Sequence, residues 1–134
     1  MFNIATNGII VMNRGDDVQF PIFINSGKLL SPIRYNTKPF DLVYFSVMEH
    51  GQDFEDGVIR KIIDKSQVDE NGDIIVTLRH NDTANLLPGV YSYEVKLITY
   101  ARDMNNNVLT NMTGSIADRY ITTVSPKRKF VLLS

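Results

Sequence analysis

Asp69-Glu70-Asn71-Gly72-Asp73 begins like a calcium loop, with oxygen-bearing side chains at alternate positions. A helix–loop–helix calcium site also needs glycine at the sixth loop position and a bidentate glutamate at the twelfth. Those positions here hold Ile74 and His80, and both flanks alternate like strands. Asn71-Gly72 reads instead as a hairpin turn, because both residues tolerate positive φ. His50 and His80 are the 2 histidines of the chain. A zinc site would draw on Glu49, Asp53 or Asp82 beside them, at spacings that match no zinc pattern. Each histidine reads as a solvated side chain at a strand end. Glu49, Asp53, Glu55 and Asp56 crowd one connection. A glycosidase needs two carboxyl groups at a fixed separation across a cleft, whereas this cluster reads as an acidic surface loop. No serine sits in a nucleophile elbow and no glycine-rich loop opens a helix. The expectation is a protein that is not an enzyme and uses no catalytic residue, metal or cofactor.

Other motifs bear on recognition. Arg14-Gly15-Asp16 spells an integrin-binding tripeptide, but a match of that length also describes a turn with wet charges. Asn81-Asp82-Thr83 and Asn111-Met112-Thr113 are glycosylation sequons, which matter only to an exported chain. Lys127-Arg128-Lys129 is a basic run at the start of the last strand. It reads either as a surface for an acidic partner or as the charge that keeps an edge strand from pairing.

The elements that must position these groups are bounded by composition. A chain of 134 residues has the size of one domain. At that length roughly 65–70% of the unfolded surface is buried on folding, so no staple is needed. Hydrophobic residues make up 43% and charged residues 22%, both ordinary for a globular protein. Lys and Arg total 14 against 15 Asp and Glu, a formal charge of −1, which gives no overall electrostatic reason to bind nucleic acid or an anionic membrane. The absence of cysteine excludes disulfides, thiolate metal sites and cysteine nucleophiles, and fits folding in a reducing cytoplasm. The opening MFNIATNGIIVMNRGDD does not read as a secretory signal, and no apolar run approaches the ~20 residues of a membrane span.

Alternation dominates the pattern. Strands are expected over 8–13, 17–25, 41–50, 58–64, 74–80, 90–102, 119–124 and 127–133, with 26–40 a loop holding a short strand near Ile33–Tyr35. In 17–25, Val18, Phe20, Ile22 and Ile24 share one face, and Pro21 points to an edge strand or a bulge. DLVYFSVMEH, 41–50, is apolar on both faces, as a central strand would be. One helical turn is expected within 81–87, capped by Asn81 or Asp82. About eight strands near ten residues apart predict an all-β fold, a single antiparallel β-sandwich over 1–134 of immunoglobulin-like or related type. Residues 100–120, with the run Asn105-Asn106-Asn107 and few apolar side chains, read as a protruding hairpin or loop that a partner would order. Met104, Asn105, Asn106, Asn107 and Val108, together with Lys127, Arg128 and Lys129, are therefore the candidate interface. Loop aromatics Tyr35, Phe40, Phe54, Tyr100 and Tyr120 offer flat faces for sugar stacking, the basis of a competing reading as a small carbohydrate-binding module.

The clearest single signal is NDTANLLPGVYSYEVKL, 81–97. Leu86 or Leu87 would plug the end of the core. Pro88 and Gly89 would form a type II turn. Tyr91, at the start of the next strand, suits a tyrosine corner whose hydroxyl bonds to backbone just upstream. Beyond it the apolar set Tyr91, Tyr93, Val95 and Leu97 faces the core, and the charged set on the other side, Ser92, Glu94, Lys96 and Ile98, faces water.

Several blocks together resemble the N-terminal domain of phage baseplate upper proteins. VMNRGDDVQFPIFIN is similar to that family's opening, DLVYFSVMEHGQDFEDGVIRKII to its second block, VDENGDIIVTLRHNDTANLLPGVYSYEVKL to its third and SPKRKFVLL to its closing strand. The likeness spans about residues 10–133, in order. It implies a virion structural module of a phage of Gram-positive bacteria, made in the host cytoplasm. Its expected partners are other virion proteins and copies of itself, with no nucleic acid and no membrane. The chain differs from the family pattern in the long 100–120 segment and in lacking a C-terminal trimerising part. A head fibre anchor or capsid decoration role is accordingly carried as the alternative.

Overall fold

The computed structural model describes residues 2–5, 7–22, 25–28, 31–34, 41–64, 74–100 and 119–134. The fold is all-β with one short helix. The strands are β1 (Asn3–Ile4), β2 (Ile10–Asn13), β3 (Val18–Ile22), β4 (Asn25–Lys28), β5 (Ser31–Arg34), β6 (Leu42–Met48), β7 (Ile59–Ile63), β8 (Ile74–Leu78), β9 (Gly89–Tyr100) and β10 (Arg119–Leu133). Helix α1 (His80–Thr83) lies between β8 and β9, and a 3-10 turn, Phe54–Asp56, lies between β6 and β7. A six-stranded sheet runs β1-β2-β10-β9-β6-β7, and β3-β8 and β4-β5 form two-stranded pairs.

The alternation read from the sequence sorts side chains as pleating requires. Val43, Phe45 and Val47 of β6, Tyr91, Tyr93, Val95 and Leu97 of β9, and Phe130 and Leu132 of β10 are buried on one face of the large sheet. Phe20 of β3 and Ile74, Val76 and Leu78 of β8 join them in one cluster. The rings of Phe20 and Phe45 meet edge-on at 5.7 Å, and Phe45 lies 5.6 Å from Tyr93, so an aromatic file links the small pair to the large sheet. Fully burying each such side chain contributes about 1.5–3 kcal/mol.

The structure departs from the sequence expectations at several elements. The large sheet is mixed rather than wholly antiparallel, because β2 runs parallel to β10, with Ile10 opposite Phe130 and Asn13 opposite Leu133. This pair comes from opposite ends of the chain, so no hairpin dictates its direction. It also places 130–133 inside the sheet, between β2 and β9, and not at an edge. The strands expected at 119–124 and 127–133 are one strand, β10, whose register against β9 shifts between Thr123 and Ser125 and again between Ser125 and Arg128. Bulges absorb the extra residues, Pro126 among them, without ending the strand. The loop expected over 26–40 contains the β4–β5 hairpin, with Asn25 opposite Arg34. β3 pairs with β8 alone among the described residues, which is where Pro21 is tolerated. Ile24 and the turn at Asn71-Gly72 lie outside the described residues.

β6 occupies the central place its composition suggests, between β9 and β7. Its second face is apolar in part: Ser46 and Met48 are buried there, and Ile98 of β9, opposite Leu42, is only 2% exposed. The expectation that the second face of β9 is simply wet thus fails at Ile98.

Candidate functional site

The corner is built from short-range bonds. Chain direction changes after β8, and α1 carries it to β9 in the other sheet. The cap differs from the expectation. Helix α1 starts at His80, and Asp82 reaches back to accept the backbone N–H of Arg79 at 2.7 Å. A carboxylate at the third helical position is the returning half of a capping box. Asp82 also pairs with Lys61 of β7 at 2.8 Å, tying the corner to the far edge of the large sheet. Leu86 packs on the core, whereas Leu87 is 77% exposed, so Leu86 is the plug. Gly89 has φ of 156°, which is not the turn geometry of type II, whose glycine sits near +80°. The Tyr91 hydroxyl donates to the Leu87 carbonyl at 2.5 Å, the bond expected of a tyrosine corner. Burial raises the Tyr91 pKa, and Glu49 adds to the rise.

The Arg14-Gly15-Asp16 turn is docked on this corner. Gly15 has φ of 83° and donates its N–H to the buried Thr83 hydroxyl at 2.7 Å. The Gly15 carbonyl lies 2.7 Å from Nδ1 of His80. Asp17 accepts the His80 backbone N–H at 2.7 Å, and Arg14 N–H donates to Leu133 at 2.8 Å. Both backbone groups of the glycine are therefore committed within the fold, and His80 has a structural partner. Thr83, the third residue of a sequon, is buried. The other sequon, and the calcium-like stretch Asp69–Asp73, lie outside the described residues. His50, Glu49 and Asp53 are exposed around the turn after β6, where Glu49 N–H binds Gln52 at 2.8 Å. Among the described residues no group of histidine and acidic side chains is placed to hold a metal ion.

The basic run is divided in its roles. Lys127, Arg128 and Lys129 are exposed on β10, but Arg128 donates to the Asn7 carbonyl at 2.7 Å and crosses over Gly8. The Tyr93 hydroxyl donates to the Gly8 carbonyl. Arg128 thus helps hold the turn between β1 and β2, a contact that its spacing in the sequence does not reveal. Met104, Asn105, Asn106, Asn107 and Val108 lie outside the described residues. They fall in the connection between β9 and β10, whose ends pair at Tyr100 and Arg119.

A groove of about 440 Å³ was not anticipated from the sequence. It runs over the second face of the large sheet, with Tyr44, Ile62, Ile98 and Ile121 below and Arg60 and Lys96 beside them. The 3-10 turn forms its wall: Ser46 donates to the Phe54 carbonyl at 2.7 Å, and the Lys96 ammonium sits 4.5 Å from the Phe54 ring centre. Gly57 makes this close packing possible, since a Cβ there would stand 2.6 Å from the Val47 carbonyl oxygen. Phe54, one of the aromatics offered for sugar stacking, is buried in that wall and covered by Lys96. The only sequence trace of the groove is the two-faced apolarity of β6.

Among the described residues no helix is long and apolar enough to cross a membrane. No family model, curated protein or solved structure matches the chain.

Proposed function

We propose that the chain is a virion structural module of a phage of Gram-positive bacteria, a baseplate, tail or appendage-anchoring domain that works through protein–protein interfaces. We further propose that it is an immunoglobulin-like sandwich of variable type. The order β10-β9-β6-β7 corresponds to the G-F-C-C′ sheet of that fold, and β3-β8 to strands B and E of the facing sheet. The bond from Tyr91 to Leu87 stands at the start of the strand corresponding to F, the place of the tyrosine corner. The fold alone assigns no role. The observation that carries the function is that each block resembling the baseplate family occupies neighbouring parts of one framework. The first covers β2 and β3, the second β6 to β7, the third β8 through the corner into β9, and the last the end of β10.

Immunogold labelling of native particles, viewed by electron microscopy, tests the reading. Label at the tail tip or an appendage is expected. Label on the head would favour the decoration or head fibre alternative, and unlabelled particles would sink both. Replacing 104–114 by a short Gly-Ser turn should leave the isolated fold nearly intact, since closure entropy changes slowly with loop length, and should weaken assembly. A glycan array that returns a binder would favour the carbohydrate-binding alternative instead.

A further inference from the structure

We infer that the groove over β6, β7 and β9 receives an extended, acidic segment of a partner protein, anchored by an apolar side chain. The inference rests on the reading of the chain as a docking module and names the surface that docks. Its floor is unusual for an outer sheet face. Ile62 and Ile121 are 59% and 54% exposed, on either side of the central strands. Register puts them in adjoining rows: Ile121 opposite Ile98, which is opposite Leu42, and Ile62 opposite Tyr44, which is opposite Lys96. A volume of about 440 Å³ is large enough for a few side chains but small for a globular partner.

Charge selects the occupant. The lining carries Arg60, Lys61 and Lys96 against one carboxylate, Glu55. Asp82 already neutralises Lys61 at 2.8 Å. Arg60 is held only by a backbone carbonyl, that of Glu55 at 2.6 Å, and Lys96 only by the Phe54 ring, so neither has a carboxylate partner among the described residues. Glu94 shares the row of Arg60, with Ser46 between them, and lies outside the lining of the groove. A carboxylate entering between Arg60 and Lys96 meets two cations over an apolar floor, where charge pairs are screened less than in open solvent.

Geometry selects an extended chain. β7 is the last strand of the large sheet, with no pairing on its outer side among the described residues. Arg60 and Ile62 project to the same face, so an added strand would set alternate side chains beside a cation and an apolar floor in turn. A second copy fits less well. Full antiparallel pairing of β7 with itself sets Lys61 against Lys61, and like charges directly opposite are destabilising.

The probe is a capped synthetic octapeptide of the repeat Asp-Ser-Leu-Ser, which sets aspartate and leucine in turn on one face of an extended chain, titrated into the full chain carrying labelled isoleucine methyls. Saturable shifts at Ile62, Ile98 and Ile121 are expected, lost in 0.5 M salt and absent with the same octapeptide carrying lysine in place of aspartate. Arg60→Gln with Lys96→Gln should weaken binding about tenfold or more, equivalent to ~1.4 kcal/mol. Ile62→Glu, at an exposed position, should abolish it while leaving the fold intact. Equal response to both peptides, shifts confined to other methyls, or no shift at millimolar peptide overturns the inference. So does a concentration-dependent dimer by sedimentation with the same methyls shifting in the absence of peptide. Particle labelling is independent of these outcomes: a silent groove on a labelled tail removes the groove alone, and a responsive groove on an unlabelled particle removes the virion reading alone.

Discussion

Tyr91 and Tyr93 stand two residues apart on the same strand and face, yet they serve two differently built regions. Tyr91 belongs to the corner and bonds to Leu87, only four residues back. Tyr93 belongs to the N-terminal turn and bonds to Gly8, 85 residues away, beside Arg128 bound to Asn7. The Tyr91 bond is made within contiguous sequence, although the corner around it also receives Gly15, Asp17 and Lys61. The N-terminal turn forms only once β2 has come to lie beside β10, so its bonds depend on closure of nearly the whole chain. A local bond can form and break with its own segment. A bond between chain ends reports on the sheet as a unit.

Gly8→Ala should therefore be the most damaging change to either region. Gly8 has φ of 85°, and a Cβ there would stand 2.4 Å from Cδ of Arg128 and 3.2 Å from the Tyr93 hydroxyl. Backbone strain and displaced contacts together should cost roughly 2–3 kcal/mol, read by urea denaturation. A loss under about 0.5 kcal/mol would mean that the N-terminal turn contributes little to holding the sheet.

Next comes Tyr93→Phe, with an expected loss of roughly 1–2 kcal/mol, because it strips the Gly8 carbonyl of a donor inside a partly buried node. Native-state hydrogen exchange should show the effect spreading to β2 and to β10 at 130–133. Protection lost only at residues 7–9 would show that the turn opens alone, and the contrast with the corner would disappear.

The legibility of the molecule follows the same division. Tyr91 and its hydroxyl bond were readable because Leu-x-Pro-Gly-x-Tyr holds donor and acceptor within one turn. The alternating core of β6, β8 and β9 was readable because pleating converts sequence parity into facing. The parallel pairing of β2 with β10 was not, since a non-local pair leaves no local pattern; it covers 130–133 and leaves Arg128 and Lys129 paired with β9 alone among the described residues. The cap expected at Asn81 or Asp82 lies two or three residues past the N-cap Arg79, and Asp82 acts from inside the helix rather than before it. The groove was invisible because Tyr44, Ile62, Lys96 and Ile121 come from four strands, and only the two-sided apolarity of β6 hinted that its second face is used.

Tyr91→Phe should cost less, about 0.5–1 kcal/mol. Leu87 is largely exposed, so water can replace the lost donor at its carbonyl. The loss should remain confined to α1 and the start of β9 in hydrogen exchange. A Tyr91→Phe loss exceeding that of Tyr93→Phe, measured in the same buffer, would reverse the ranking of the two regions.

The smallest effects lie in the pH dependence, where the two sites carry opposite charged neighbours. Both hydroxyls have pKa values raised above the ordinary tyrosine value near 10, chiefly by burial. A raised folded-state value means that the native state holds its proton longer than the unfolded chain. The resulting stability is fully present below pH ~10 and is lost as pH climbs through the folded values. At Tyr91 the carboxylate of Glu49 adds to the rise, whereas at Tyr93 the guanidinium of Arg128 opposes it. Glu49→Gln should therefore flatten the alkaline fall in stability, because it brings Tyr91 back toward its unfolded value. Arg128→Gln should steepen it, because Tyr93 loses the cation that favours its phenolate. Arg128→Gln also breaks the bond to Asn7, but that loss is common to all pH values, so the slope above pH ~10 separates the charge from the contact. Slopes that move in the same direction in the two variants would show that the phenols respond to net charge and not to their own neighbours.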